Sequence, residues 1–550
     1  MEGQTLIPEE PPVPPIDEEI KADVVVIGGG PNGLINAAYL ARSGLKVVIL
    51  ERRQELGGGL ATEEILFPGI YANTHATYHM MVDYMPVLDD FDLRRHALMF
   101  IKPNAQTGIV FEDGSSMLLC TKIQDCIDQI DKFSSKDAKA FNTMIRDFRT
   151  VVDEILAPAT YYPPMPPIEF VVALNKTLTG RKLNDITEKS PLEIIDETFT
   201  NDKVKALFLY LSCMWGLAPD ITGMGFMVPL LVYRNLNKYL CVGGSHKLSS
   251  SLAKELVLNG GLILENAEAT KIIMENGKAV GVETHDGIRV MAKVVVSSLD
   301  PHSTFLKLVG EDKLTPELAK YVNGWEWDKW SLFTLHLAIN EQPKYIAKDR
   351  NINDAFMNII GIESMDDVLK LTKRAMEGGT LPVPAGHCTT ETRYDTTLSR
   401  QNKVHSAFFQ MLASYDAPNG WEESKKEAEK AALETWKKYT QNITDETIVM
   451  MGSESPLDIE RRIPCMVRGS IKHGDYSSLQ MGYFRPNDLC SNSKTPFEGL
   501  YLCGASMNPG GLIIGGPGYI AANIIAEDMG VKKWWKTPES IKTFIQEYIE

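Results

Sequence analysis

Ala22-Asp-Val-Val-Val-Ile-Gly-Gly-Gly-Pro-Asn-Gly-Leu-Ile-Asn-Ala-Ala-Tyr-Leu-Ala41, followed by Lys46-Val-Val-Ile-Leu-Glu51, decides the fold of this chain. Val24–Ile27 is a β-branched run, the composition of a strand buried on both faces. Gly28, Gly30 and Gly33 then form GxGxxG where a strand turns into a helix. Gly28 permits the tight turn, Gly30 lets a pyrophosphate approach the backbone, and Gly33 lets helix and strand pack closely. The helix continues through Leu34–Ala41 and points its free N–H groups at the phosphates. Val47–Leu50 is the second strand. Glu51, 18 residues past Gly33, ends it where a carboxylate holds a ribose hydroxyl pair. Strand, glycines, helix, strand and acid stand in the order that dinucleotide binding requires. Glutamate at the ribose position argues against a 2′-phosphate, and so against NADP.

Glu51 and Arg52 run on into a second glycine cluster, Leu56-Gly57-Gly58-Gly59-Leu60-Ala61-Thr62. NAD binding does not need it. The cluster resembles the extended flavin fingerprint of the amine oxidase and phytoene desaturase superfamily. That resemblance implies FAD, with the loop around Gly58 passing along its pyrophosphate.

At 550 residues the chain is too long for one core, and two or three domains are expected. A net charge of −16 with no basic stripe disfavours nucleic acid as a partner. None of the eight cysteines forms CxxC, so free buried thiols are expected, without a redox dithiol or a metal site. Residues 1–20 are proline-rich and acidic, and lack the basic and apolar regions of a signal peptide. A flexible leader and a cytoplasmic protein are the expectation.

Between Phe67 and His79 three aromatics accompany His75 and His79. These histidines are either exposed residues of a structural loop or active-site acids, bases or hydrogen-bond donors. Asp113-Gly114 marks a hairpin over 108–119, and 125–155 reads as one amphipathic helix. Ala206–Tyr233 holds a single charge, Asp220. Pro219, Asp220 and Pro229 cut it into pieces too short to span a bilayer. It is buried core, the lining of an apolar tunnel, or a patch that dips into a membrane surface. Val242-Gly-Gly-Ser245 opens a helix, followed by strands at Gly260–Leu264 and Ala269–Ile273. A hairpin over 278–290 and a separate strand, Val294–Ser298, come next. Leu332–Ile339 and Ala407–Met411 read as strands and Glu422–Tyr439 as a charged surface helix. Gly499–Ser506, with Gly504 at its turn, is a strand into a turn. Asn508-Pro-Gly-Gly511 then leads into a helix over Tyr519–Asp528. N–H groups at such a helix start suit the electron-rich edge of a flavin.

With these blocks placed, the chain resembles phytoene desaturase-type FAD oxidoreductases, nearest the branch of pyridine nucleotide-disulphide oxidoreductase domain-containing protein 2. The resemblance implies an α/β fold of p-hydroxybenzoate hydroxylase or amine oxidase-like architecture. This is a Rossmann-like FAD-binding domain with an inserted α+β substrate domain. It divides the chain into FAD-binding parts at 21–100, 239–305 and 461–550, and substrate parts at 101–238 and 306–460. It implies that Ala269 meets the adenine, that Gly504, Gly510 and Gly511 approach the flavin, and that hydride passes between a substrate carbon and flavin N5. The substrate would be lipophilic, isoprenoid-like or alicyclic. His75, His79 and Asn508 are the candidates for the polar role. Quinone, oxygen or a protein is the electron acceptor expected, and an oligomer or a peripheral membrane contact is compatible. Rivals are a redox-neutral isomerase needing reduced FAD, an amine oxidase, and a prenyl-binding protein of the GDP dissociation inhibitor type. Two departures stand out. Asn508 replaces the histidine of His-Pro-Gly-Gly, and Asn73 and His75 replace an acid and a glycine, pointing away from a carotenoid toward a smaller apolar substrate.

Overall fold

A computed structural model describes residues 19–401 and 403–550; the leader expected over 1–20 lies, up to residue 18, outside the described residues. Ile20–Ile27 is the middle of a seven-stranded sheet. It pairs in parallel with Val47–Leu50 on one side and Arg289–Ser297 on the other, with Val24 opposite both Val47 and Val294. Val24, Val25 and Val26 are fully buried because both faces are covered. Helices Pro31–Arg42, His246–Leu258 and Gly516–Asp528 pack on one face through Leu34, Leu252 and Ile525. Phe305, Leu308 and Val322 cover the other.

The hairpin expected over 278–290 and the strand expected at Val294–Ser298 are joined. Arg289–Ser297 is one strand, antiparallel to Lys278–Thr284 in its first half and parallel to Ile20–Ile27 along its length. Lys293 breaks the apolar run but faces solvent, so the ladder continues through it.

A second seven-stranded sheet runs in the order Ile448–Glu454, Ser331–Ile339, His405–Ala413, Gly386–Thr389, Met357–Ile360, Ala105–Val110, Ser116–Cys120. Its two hairpin strands thus come from far earlier in the chain than the other five. Every residue of Ser331–Ile339 is buried. Helices Ser135–Val151, Asp202–Cys213, Met365–Glu377 and Trp421–Lys438 contribute to its core. The single helix expected over 125–155 is broken at Ser134, whose hydroxyl accepts from Asp137 N and starts a new helix. Pro229 does not break its helix. It is the third residue of Met227–Asn235, in the first turn, where a missing N–H costs nothing.

All eight cysteines are unpaired and seven are buried. Among the described residues no helix is long and apolar enough to cross a membrane.

Candidate active site

The glycine turn opens on a cavity of about 400 Å³ whose wall includes Gly28, Gly30, Glu51, Arg52, Gly58 and Ala269. Each glycine there answers to local geometry. A Cβ on Gly33 would stand 2.2 Å from the Gly28 carbonyl oxygen, so helix and turn touch directly. A Cβ on Gly30 would meet no atom of the described residues within 4 Å. Gly30 is the N-cap of Pro31–Arg42 and supplies no capping side chain, so the helix start is left open toward this space. The Glu51 carboxylate accepts from Gly29 N and Arg53 N, both at 2.9 Å. Burial raises its pKa, against those two hydrogen bonds. Gly504 and Gly510 lie off the wall and serve close approach: their Cβ atoms would come within 2.4 Å of Ser298 O and the Tyr476 hydroxyl.

A second cavity, about 460 Å³ and mostly apolar, is walled by Met80, Phe226, Met227, Leu231, Tyr476 and Asn508 among others. Arg234 is its buried cation, paired with Asp83 and donating to Met80 O at 2.6 Å. A third chamber, about 90 Å³, is lined by His75, Thr334, Gln410 and Glu454 among others. Gly511 belongs to the first two walls, Met80 to the second and third, and Leu512 to all three.

His75 and Asn508 therefore border spaces that meet at Leu512. Burial pushes the His75 pKa down to about 4, so the ring is neutral at pH 7, and its Nε2 has no partner among the described residues. His79 lines none of the three spaces. Its backbone pairs with Tyr239 at 2.9 and 3.0 Å and its ring lies edge-on to Phe100. The reading of these histidines as exposed loop residues fails: His79 is fully buried and His75 borders an internal chamber.

Several site residues left little trace in the sequence. Glu454 closes an edge strand, and a Ser455–Asp458 capping box starts the next helix at once. That helix returns Arg462 to Glu454 at 2.5 Å, while His336 Nε2 lies 3.1 Å from the same carboxylate. Burial raises the Glu454 pKa, but His336 and Arg462 outweigh it and hold the carboxyl well below its usual range. His473 lies on the dinucleotide wall, and Lys472, paired with Asp328 and wholly buried, packs under Gly511. Arg462 falls in Ser455–Arg462, and Lys472 and His473 in Gly469–Asp475, two blocks that share in the family resemblance. The Ser-x-x-Asp spacing marks the helix start, whereas Glu454 itself gives no signal.

The Thi4 family model matches residues 13–97, the segment that carries the glycine turn. A limonene dehydrogenase subunit of Castellaniella defragrans is 38% identical over 542 residues, which is 96% of this chain and 98% of that protein. The chain belongs to the phytoene desaturase-type FAD oxidoreductases. Pyridine nucleotide-disulfide oxidoreductase domain-containing protein 2 of Rattus norvegicus is 26% identical over 563 residues, covering 92% of this FAD oxidoreductase and 94% of the relative. An oxidoreductase from Methanosarcina mazei shares the fold, with a TM-score of 0.61 at 17% identity over 92% of this chain and all of that one. The cofactor of this oxidoreductase is FAD. Its residues fit that group: open space before Gly30, direct contact at Gly33 and a buried carboxylate at Glu51.

Proposed function

We propose that this FAD oxidoreductase is a dehydrogenase of an apolar alicyclic or isoprenoid-like molecule, acting at a carbon–carbon unit. The observation that carries this reading is the meeting of the apolar cavity with the dinucleotide cavity at Gly511 and Leu512. Bound FAD supplies the hydride acceptor. The chain supplies the rest. Gly28, Gly30, Gly33, Glu51, Arg52, Gly58 and Ala269 hold the dinucleotide, and Gly510–Gly511 keeps the C-terminal turn close to it. Met80, Met227 and Leu231 exclude water from the reacting carbon. Neutral His75 accepts the accompanying proton and Asn508 orients the substrate. His79 keeps the loop in place.

The Castellaniella relative acts, by its name, on limonene, a hydrocarbon of the size this cavity suits. Its designation as one subunit of an enzyme supports a second chain as partner, and a quinone, oxygen or protein takes the electrons onward. Ile168 and Val172 stand exposed beside the cavity-lining Phe170 and Val171, which supports uptake of substrate from a lipid surface.

The test is anaerobic titration of the yellow holoprotein with cyclic alkenes and their saturated partners. Bleaching of the oxidised band by one of them is expected. Bleaching by amines alone would make the protein an amine oxidase. A colourless protein that FAD cannot reconstitute would end the enzyme reading.

A further inference from the structure

We propose that the 90 Å³ chamber is a subsite for a single hydroxyl group carried by the substrate, so that the preferred substrate is an alicyclic or isoprenoid alcohol rather than a bare hydrocarbon. This rests on the reading of the large apolar cavity as the substrate site.

The polarity of the chamber follows from a line of hydrogen bonds across the second sheet. Tyr210 Oη lies 2.9 Å from His387 Nδ1, His387 Nε2 lies 3.0 Å from Gln410 Oε1, and Gln410 Nε2 donates to Thr334 Oγ1 at 3.2 Å. All four side chains are buried. An amide oxygen only accepts, so His387 Nε2 carries the hydrogen. Burial holds His387 far on the neutral side, so Nδ1 is bare and accepts from Tyr210. The line thus has one direction, and it ends by filling a lone pair of Thr334. The Thr334 O–H hydrogen is left over, on a residue that lines the chamber.

Beside it stands an acceptor: Glu454, the register partner of Thr334 on the adjacent strand, is held as an ionised carboxylate and lines the same chamber. A hydroxyl accepts from Thr334 and donates to Glu454. A methyl group leaves the Thr334 hydrogen without an acceptor, and a buried donor left unpaired weakens binding. The chamber is too small for a terpene skeleton, so the skeleton stays in the 460 Å³ cavity and only its functional group passes Met80 and Leu512, which belong to both walls.

Calorimetric titration of the full-length FAD-loaded protein with 1-methylcyclohexene and with cyclohex-1-enylmethanol tests this. The alcohol is expected to bind about tenfold more tightly, the discrimination of one satisfied buried hydrogen bond. Thr334→Val, nearly isosteric, removes that preference and leaves hydrocarbon binding unchanged, while Thr334→Ser keeps it. Gln410→Met, which frees Thr334 to turn away, loses it too and serves if the valine variant does not fold. Equal affinities in the wild type, or an equal loss for both ligands in Thr334→Val, overturn the proposal while leaving the substrate cavity intact. Failure of both compounds to bind overturns the cavity reading itself. A changed absorption band in ligand-free Thr334→Val would put the hydroxyl on the cofactor and overturn the proposal as well.

Discussion

Asn73 Nδ2 donates to Glu391 Oε1 at 2.5 Å and Asn73 N to Glu391 Oε2 at 3.3 Å, a contact between residues 318 apart in the chain. Asn73 Oδ1 accepts in turn from Thr62 Oγ1 at 2.7 Å and Ser245 N at 2.8 Å. One amide thus ties the loop behind the glycine cluster to the start of helix His246–Leu258 and to a turn beside the second sheet. Glu391 thereby brings a buried carboxylate to Asn73 from across the fold.

Glu391 should make the protein less stable as pH rises. Burial lifts its pKa from 4.5 to about 7, against the Asn73 hydrogen bonds. Between those values the folded state binds the proton and the unfolded state does not. Stability from this group is therefore complete below about pH 4.5 and lost progressively up to about 7, by about 3 kcal/mol in all. Glu391→Gln should flatten the change in urea midpoint between pH 5 and pH 8. An unaltered slope would assign the pH dependence to other groups.

Two glycines of one motif should respond differently to the same methyl group. At Gly33 the Cβ would meet the Gly28 carbonyl at 2.2 Å, so Gly33→Ala should lower both apoprotein melting temperature and FAD retention. At Gly30 the protein leaves open space, so Gly30→Ala should melt like wild-type apoprotein yet bind FAD at least about tenfold more weakly. Equal melting and equal FAD affinity for Gly30→Ala would show that the opening is not the pyrophosphate site.

His75→Gln should retain FAD and lose about 100-fold in kcat, the scale of a positioned proton acceptor. Because burial holds its pKa near 4, the ring is neutral throughout pH 5–8. The wild-type rate should show no step near the ordinary histidine pKa from this residue. Unchanged turnover in the glutamine variant would remove His75 from the chemistry.

The parts legible in the sequence were those set by neighbours in the chain. The β-branched run at Val24–Ile27, the spacing of Gly28, Gly30 and Gly33, and Glu51 each report a local requirement, and they located the first sheet and its cofactor. The small chamber was not legible. Thr334 and Gln410 stand on neighbouring strands, Glu454 ends a third and His75 belongs to a loop; only the sheet brings them together. Glu391 was equally hidden, because a buried acid looks like any surface glutamate until its partner is known. Pro229 misled because a proline is punctuation in mid-helix and harmless in a first turn.

The cavity mouth should bind anionic membranes. Phe170, Val171 and Leu174 line the cavity from helix Pro167–Leu174, and Ile168 and Val172 on that helix are 81% and 61% exposed. Ser478 and Met481 line the same cavity, and Leu479 between them is 81% exposed. Residues 167–184 carry Lys176, Arg181 and Lys182 against one acid, Glu169, in a chain of net charge −16. Each basic residue near an anionic surface is worth about 1 kcal/mol, and each aliphatic side chain moved out of water about 1.5–3 kcal/mol. The protein should therefore sediment with phosphatidylglycerol-containing vesicles and much less with neutral phosphatidylcholine. The double substitution Ile168→Glu, Val172→Glu should abolish sedimentation with FAD content unchanged. Leu258→Glu, at an equally exposed leucine away from the cavity, should leave it intact. Sedimentation that survives the double substitution would place any lipid contact elsewhere on the surface.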